Sequence, residues 1–129
     1  MIQLDPIIAV NDVEASSRWY QGLLSCKSIH GGKEFDVLAD ENGDIIFCLH
    51  HWGAHEHPTM LDASITPGNG LILYFRTDAM EEIRANAERL GYAIEEEVHL
   101  NENSTKREFS LRDPDGYYLT ITEYHQYGT

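Results

Sequence analysis

The sequence predicts an α+β fold in which two tandem βαβββ modules form cupped, mixed sheets, and three observations carry that expectation. A short apolar β-type run, followed at once by an amphipathic helix and then by three β-like segments, occurs twice. The helix starts, Asp12 and Asp78, lie 66 residues apart and the turn pairs Asn42-Gly43 and Asp115-Gly116 lie 73 apart, as an internal duplication would place them. The 129 residues, 42% of them hydrophobic, suffice for one domain with a buried core and no covalent staples. The modules span about residues 1–50 and 70–125 of a single domain, 1–129.

In the first module, Leu4 to Val10 is a β-type run that ends at Asn11-Asp12, where the Asp12 side chain can cap a helix. Ser16, Tyr20 and Leu23-Leu24 recur at helical spacing with Trp19 alongside, and Gly22 weakens the helix near its end. Strands are expected at Cys26 to His30, Phe35 to Ala39 and Asp44 to His50, separated by Gly31-Gly32 and by the hairpin signal Glu41-Asn42-Gly43. The second module restarts with Leu71 to Phe75. Asp78 with Glu81 three residues later makes a capping box, Met80, Ile83, Ala87 and Leu90 line one helix face, and Gly91 follows the helix end. Strands then fall near Tyr92 to Val98, Lys106 to Arg112 and Tyr117 to Tyr124, with Asp113-Pro114-Asp115-Gly116 turning the chain between the last two. The connection 51–69, His51 to Asn69, is long for a compact domain, which marks it as a functional loop, lid or subunit crossover.

Nine Lys and Arg against 22 Asp and Glu leave a formal charge of -13. That charge repels phosphate backbones and anionic headgroups, so neither nucleic acid nor a membrane surface is an expected partner. It favours solubility and tolerates a cationic or neutral small molecule. No apolar stretch approaches the roughly 20 residues of a membrane span. No charged-then-apolar leader precedes Met1 to Leu4, and Cys26 and Cys48 show no ligand spacing or disulfide framework, so the expected compartment is the reducing cytoplasm.

Two stretches carry a family resemblance. Pro6 to Leu24, PIIAVNDVEASSRWYQGLL, resembles the strand, V-x-D, S-x-x-(F/W)-Y and L-(L/G) opening of vicinal oxygen chelate domains. Glu108 to Glu123, EFSLRDPDGYYLTITE, resembles their closing F-x-x-x-DPDG-x-x-(L/I) hairpin. With the repeated βαβββ order, the resemblance spans nearly the whole chain. It implies the glyoxalase/bleomycin-resistance fold, a homodimer with two modules cupping each ligand cavity, and a superfamily that includes glyoxalases, ring-cleaving dioxygenases and bleomycin-binding proteins.

Most of those enzymes hold a divalent metal through three or four His, Gln or Glu side chains. The resemblance matches those positions to Asp5, seven residues before Asp12; to Phe47, four after Gly43; to Leu71 or Ile72; and to Thr120, four after Gly116. Of these only Asp5 can ligate. The expectation is therefore the metal-free, bleomycin-resistance-like branch, with no cofactor.

Strand alternation places Tyr118, Thr120 and Thr122 on the cavity face, with Leu119 and Ile121 toward the helices. Glu108, Ser110 and Arg112 form a second polar set, and Ile72, Tyr74 and Arg76 a third. Phe47, Tyr74, Tyr118, Thr120 and Arg112 are thus candidate ligand-binding residues, joined by Trp52 and His55 as a lid from the connecting loop. Each also has an ordinary reading: Tyr74 and Tyr118 as strand aromatics, Glu108 with Arg112 as a surface pair. His50, His51, His55 and His57 fall within eight residues, and their spacing permits an alternative site for a divalent transition metal. No nucleophilic triad, phosphate loop or G-x-S-x-G elbow is present. The expected function is binding of an aromatic or amphipathic small molecule. The alternative is a lyase, isomerase or dioxygenase-like enzyme, using the His-rich loop or acid-base catalysis by Glu108.

Overall fold

The computed structural model describes residues 1–54 and 57–127. The chain forms two compact units, Met1–Pro67 and Gly68–Thr129. Each contains a four-stranded mixed sheet with one helix, in the order βαβββ.

In the first unit β1 (Ile7–Val10) leads into α1 (Val13–Leu24), followed by β2 (Lys27–Ser28), β3 (Phe35–Ala39) and β4 (Ile45–His51). The sheet order is β1-β4-β3-β2, with β1 parallel to β4 and the other neighbours antiparallel. Asp12 caps α1 as the sequence indicates, its side chain accepting a hydrogen bond from the Ala15 amide at 2.9 Å. Val13, Tyr20 and Leu23 bury the apolar stripe of α1. The Tyr20 ring meets Phe47 of β4 edge-to-face at 4.7 Å, a pairing worth about 0.5–1.5 kcal/mol beyond its buried area. After β4 the described chain includes a 3-10 turn, Pro58–Met60.

In the second unit β5 (Leu73–Thr77), α2 (Met80–Leu90), β6 (Ile94–Asn101), β7 (Lys106–Arg112) and β8 (Tyr118–Glu123) give the sheet order β5-β8-β7-β6, with β5 parallel to β8. Met80, Ile83 and Ala87 are buried on the helix face, where Phe109, Leu111, Leu119 and Ile121 supply the core beneath. The central hairpins, β3–β4 and β7–β8, repeat one turn. Asp40 and Asp113 each accept backbone N–H bonds across their loops, and Gly43 and Gly116 close them at φ of +84° and +92°, a conformation that suits glycine.

The expected strand bounds shift by two or three residues at β1, β5 and β6, and three further expectations change. Asp78 does not cap α2: Ala79 stands at the N-cap without a side-chain bond, and Thr77 Oγ1 accepts from the Ala79 amide at 3.0 Å, which satisfies the entry one residue earlier. Leu90 is 38% exposed, because the α2 face ends at Ala87, one turn earlier. The strand expected from Cys26 to His30 shrinks to Lys27–Ser28, since the chain beyond turns so that the Gly31 amide can bond Asp36. No helix among the described residues is long and apolar enough to cross a membrane. Cys26 and Cys48 are both free and buried.

Candidate functional site

The second sheet has α2 on one face only, so strand alternation divides its residues into a helix-packed set and an open set. Register fixes the open set. Tyr74 of β5 lies opposite Thr120 of β8, Thr120 opposite Ser110 of β7, and Ser110 opposite Glu96 of β6. The next row runs Arg76, Thr122, Glu108, His99, and Tyr118 lies opposite Arg112 at the hairpin end. Tyr74, Arg112, Tyr118, Thr120 and Glu108, all singled out from the sequence, therefore share one face.

That face is polar yet substantially buried. Ser110, Thr120, Thr122 and Glu108 are 1%, 4%, 0% and 8% exposed. The hydroxyls of Ser110 and Thr120 bond each other at 2.9 Å, and the Glu108 carboxylate accepts from Asn101 Nδ2 at 3.0 Å. The tyrosines flank this polar centre, with Arg112 stacked over Tyr118 at 5.1 Å. Arg112 pairs with Glu95 and donates to the Gly116 carbonyl, so the suggested Glu108–Arg112 pair does not form. Hydroxyls, a carboxylate and aromatic edges can bind and orient a ligand with a flat part and polar substituents.

Phe47 does not belong to this kind of face. It is 1% exposed and packs against Tyr20 on the helix side of the first sheet. The cause is a bulge: Ala39 pairs with Ile45 and Leu38 with Phe47, leaving Ile46 as an extra residue. One inserted residue reverses the face of every residue beyond it, so the count of four from the turn glycine that reaches open-face Thr120 reaches helix-facing Phe47. Cys48 and His50 occupy the open face instead, with Ile7, Ala9, Val37 and Phe35 as row neighbours. The first module's open face is thus largely apolar where the second is polar.

Trp52 is half-buried just after β4, its amide directed at the Val10 carbonyl. His55 lies outside the described residues. Of the other loop histidines, His50 is buried and its ring meets that of His57 at 4.9 Å, while His51 is exposed at the strand end. Among the described residues no three His, Cys, Asp or Glu side chains group as metal ligands would.

The residues matched to the family's metal positions become Asp5, Cys48, Leu71 or Ile72, and Thr120 once the bulge is counted. The Cys48 thiol has its pKa pushed up by burial first and then by the charges of Asp5 and Asp36, which disfavours a thiolate ligand. Thr120 is engaged with Ser110. Neither the carboxylate and buried thiol of the first unit nor the aliphatic side chain and hydroxyl of the second are the imidazole or carboxylate donors, three or four in number, that a divalent ion takes.

Sequence reasoning missed Glu96, His99 and the C-terminal residues Tyr124, His125 and Tyr127. The first two follow from period-2 alternation on β6 only when its register is known, because two irregularities interrupt the β6–β7 ladder. Tyr124 continues the alternation of Tyr118, Thr120 and Thr122, whereas His125 and Tyr127 lie beyond the last strand and carry no periodic signal.

No protein-family model matches the chain, and no curated protein matches it in sequence. Among solved structures it is similar to a bleomycin resistance determinant encoded on the transposon Tn5, at 16% identity and a TM-score of 0.71, over 98% of this chain and 100% of the other. It is also similar to a lactoylglutathione lyase from Agrobacterium tumefaciens, at 16% identity and a TM-score of 0.73, over 98% and 96% of the two chains. A bleomycin-binding protein in complex with bleomycin superposes at 17% identity and a TM-score of 0.69, over 97% and 100%. At such identities the likeness is one of fold, and the fold is the glyoxalase/bleomycin-resistance fold that the two ends of the sequence imply.

Proposed function

We propose that this protein binds a small organic molecule on the helix-free face of its second sheet, setting an aromatic or amphipathic part against Tyr74 and Tyr118 and polar groups toward Ser110, Thr120 and Glu108, without a divalent metal. One observation carries the reading: a row of hydroxyls and a carboxylate, each at least nine-tenths buried, lies on the sheet face that no helix of its own unit covers. Ser110 and Thr120 bond each other and Glu108 accepts from Asn101, which holds these groups in place, and their remaining acceptor positions supply the polar part of recognition. The donor chemistry at the matched metal positions supports the metal-free part. The bleomycin complex of a protein with the same fold supports the ligand class.

The test is thermal unfolding against bleomycin and a panel of flat aromatic compounds. A ligand at about 100 times its dissociation constant adds about 2.7 kcal/mol to the native state. Tyr118→Ala should weaken the best ligand about tenfold, equivalent to about 1.4 kcal/mol. No shift across the panel sinks the proposal. A homodimer belongs to the same reading, since β1 and β5 are edge strands beside exposed Ile7 and Ile72. Light scattering should then give about twice the 14.7 kDa of one chain.

A second reading, proton transfer by Glu108, is favoured by its burial and by the hydrogen bond from Asn101 that orients its carboxyl. If a compound is turned over, Glu108→Gln should abolish turnover while leaving binding within a few-fold; unchanged turnover removes this role.

A further inference from the structure

Beside the open face of the second sheet, the turn after β6 and the segment beyond β8 border a wide-open cleft of about 710 Å3. Tyr74, Tyr124 and Tyr127 present rings to it, being 37%, 51% and 68% exposed. The segment is held in place rather than trailing. His125 Nε2 meets the Tyr74 hydroxyl at 3.0 Å, and the His125 carbonyl accepts from Arg76 Nη1 at 2.6 Å. The Arg76 guanidinium lies 5.3 Å from the Tyr124 ring centre and 4.9 Å from that of Tyr127, and His125 meets Tyr127 edge-to-face at 5.3 Å.

The described lining of the cleft differs in charge from the molecule as a whole. Asp and Glu make up 22 of 129 residues, yet none lines this cleft among the described residues. Lys106 does, and its ammonium is bonded to no described residue. Glu123, the acid that feels its charge, already accepts from the Arg107 amide at 2.7 Å and from the Arg107 guanidinium at 3.2 Å. Arg76 adds a second cation behind the tyrosine rings.

We propose that this cleft binds a flat aromatic compound bearing a carboxylate or similar anionic group, its ring among the tyrosines and its anion on Lys106. The inference rests on the reading that the open face of the second sheet is the ligand-binding face, and it adds the sign of the ligand's charge. Among the described residues that line the cleft, a cationic ligand meets no carboxylate and one ammonium, with Arg76 behind the tyrosine rings.

Two probes with one ring system and opposite charge, 2-naphthoate and 2-naphthylmethylammonium, test it by calorimetric titration. Naphthoate should bind about tenfold tighter, the worth of one charge-assisted hydrogen bond. Lys106→Gln should remove that advantage, Tyr127→Ala should weaken both probes, and Lys33→Gln, the same charge change on the first unit, should alter neither. Equal or tighter binding of the ammonium probe overturns the proposal, as do undiminished naphthoate binding in Lys106→Gln and a lack of saturable naphthoate binding at millimolar concentration. Ammonium binding that depends on Tyr118 with no naphthoate preference would overturn this inference alone and leave the broader reading standing.

Discussion

Asp36 sits in β3 with 2% of its surface exposed and takes hydrogen bonds from Ser17 Oγ at 2.6 Å, Ser28 Oγ at 2.7 and 2.8 Å, the Gly31 amide at 2.7 Å and its neighbour Val37 at 2.8 Å. Burial pushes its pKa up, but the bonds from Ser17, Gly31, Ser28 and Val37 together outweigh burial and hold it below the ordinary value. A depressed folded pKa stabilises the protein fully above the unfolded value, near 3.9, and that contribution is lost as pH falls through the folded value. Asp36→Asn keeps the shape but exchanges an acceptor for a donor, and should cost about 1–3 kcal/mol at neutral pH. Urea unfolding at pH 7 and at steps below pH 4 checks both points: the variant should be less stable at pH 7 and lose less on acidification. A variant with the wild-type acid slope would show that Asp36 is not the group being titrated. The sequence offers no hint of this carboxylate, because its partners come from α1, β2 and a glycine turn that only the fold assembles.

The helices and hairpins show why element order was legible and residue placement less so. Helix α1 was readable from Asp12 and the spacing of Tyr20 and Leu23, since a cap and a 3.6-residue stripe are local signals. The Ile46 bulge was not, and it alone moved Phe47 from the open face to the core, because a period of two has no tolerance for one inserted residue. The shared face of Tyr74, Tyr118, Thr120 and Glu108 is legible in the sequence because β5, β7 and β8 pair without interruption. The two helices end alike, in a left-handed residue, but with different side chains: Gly91 at φ +74° after α2, Ser25 at φ +56° after α1. A side chain in that conformation costs about 1–2 kcal/mol, part of which glycine returns through its larger unfolded-state entropy. Ser25→Gly should therefore raise stability by about 0.5–1 kcal/mol, read as a higher urea midpoint at unchanged slope. A lower midpoint would mean that the Ser25 side chain stabilises the native state more than its backbone strains it.

At the scale of the whole molecule, a formal charge of -13 surrounds a cleft whose described lining has an ammonium and no carboxylate. The two fields act over different distances. Repulsion of an anion by the acidic surface is long-ranged, and salt screens it once the Debye length falls to about 10 Å at 0.1 M. The attraction of Lys106 acts at contact, where screening is weaker. Association of 2-naphthoate should thus speed up several-fold as salt rises from low to physiological strength, while dissociation changes less; for 2-naphthylmethylammonium, association should slow over the same range. Stopped-flow fluorescence measures both rates directly. Naphthoate association that slows with salt would mean that the local cations, not the acidic surface, govern its approach, and the reading of net charge as a barrier to anionic ligands would have to be given up.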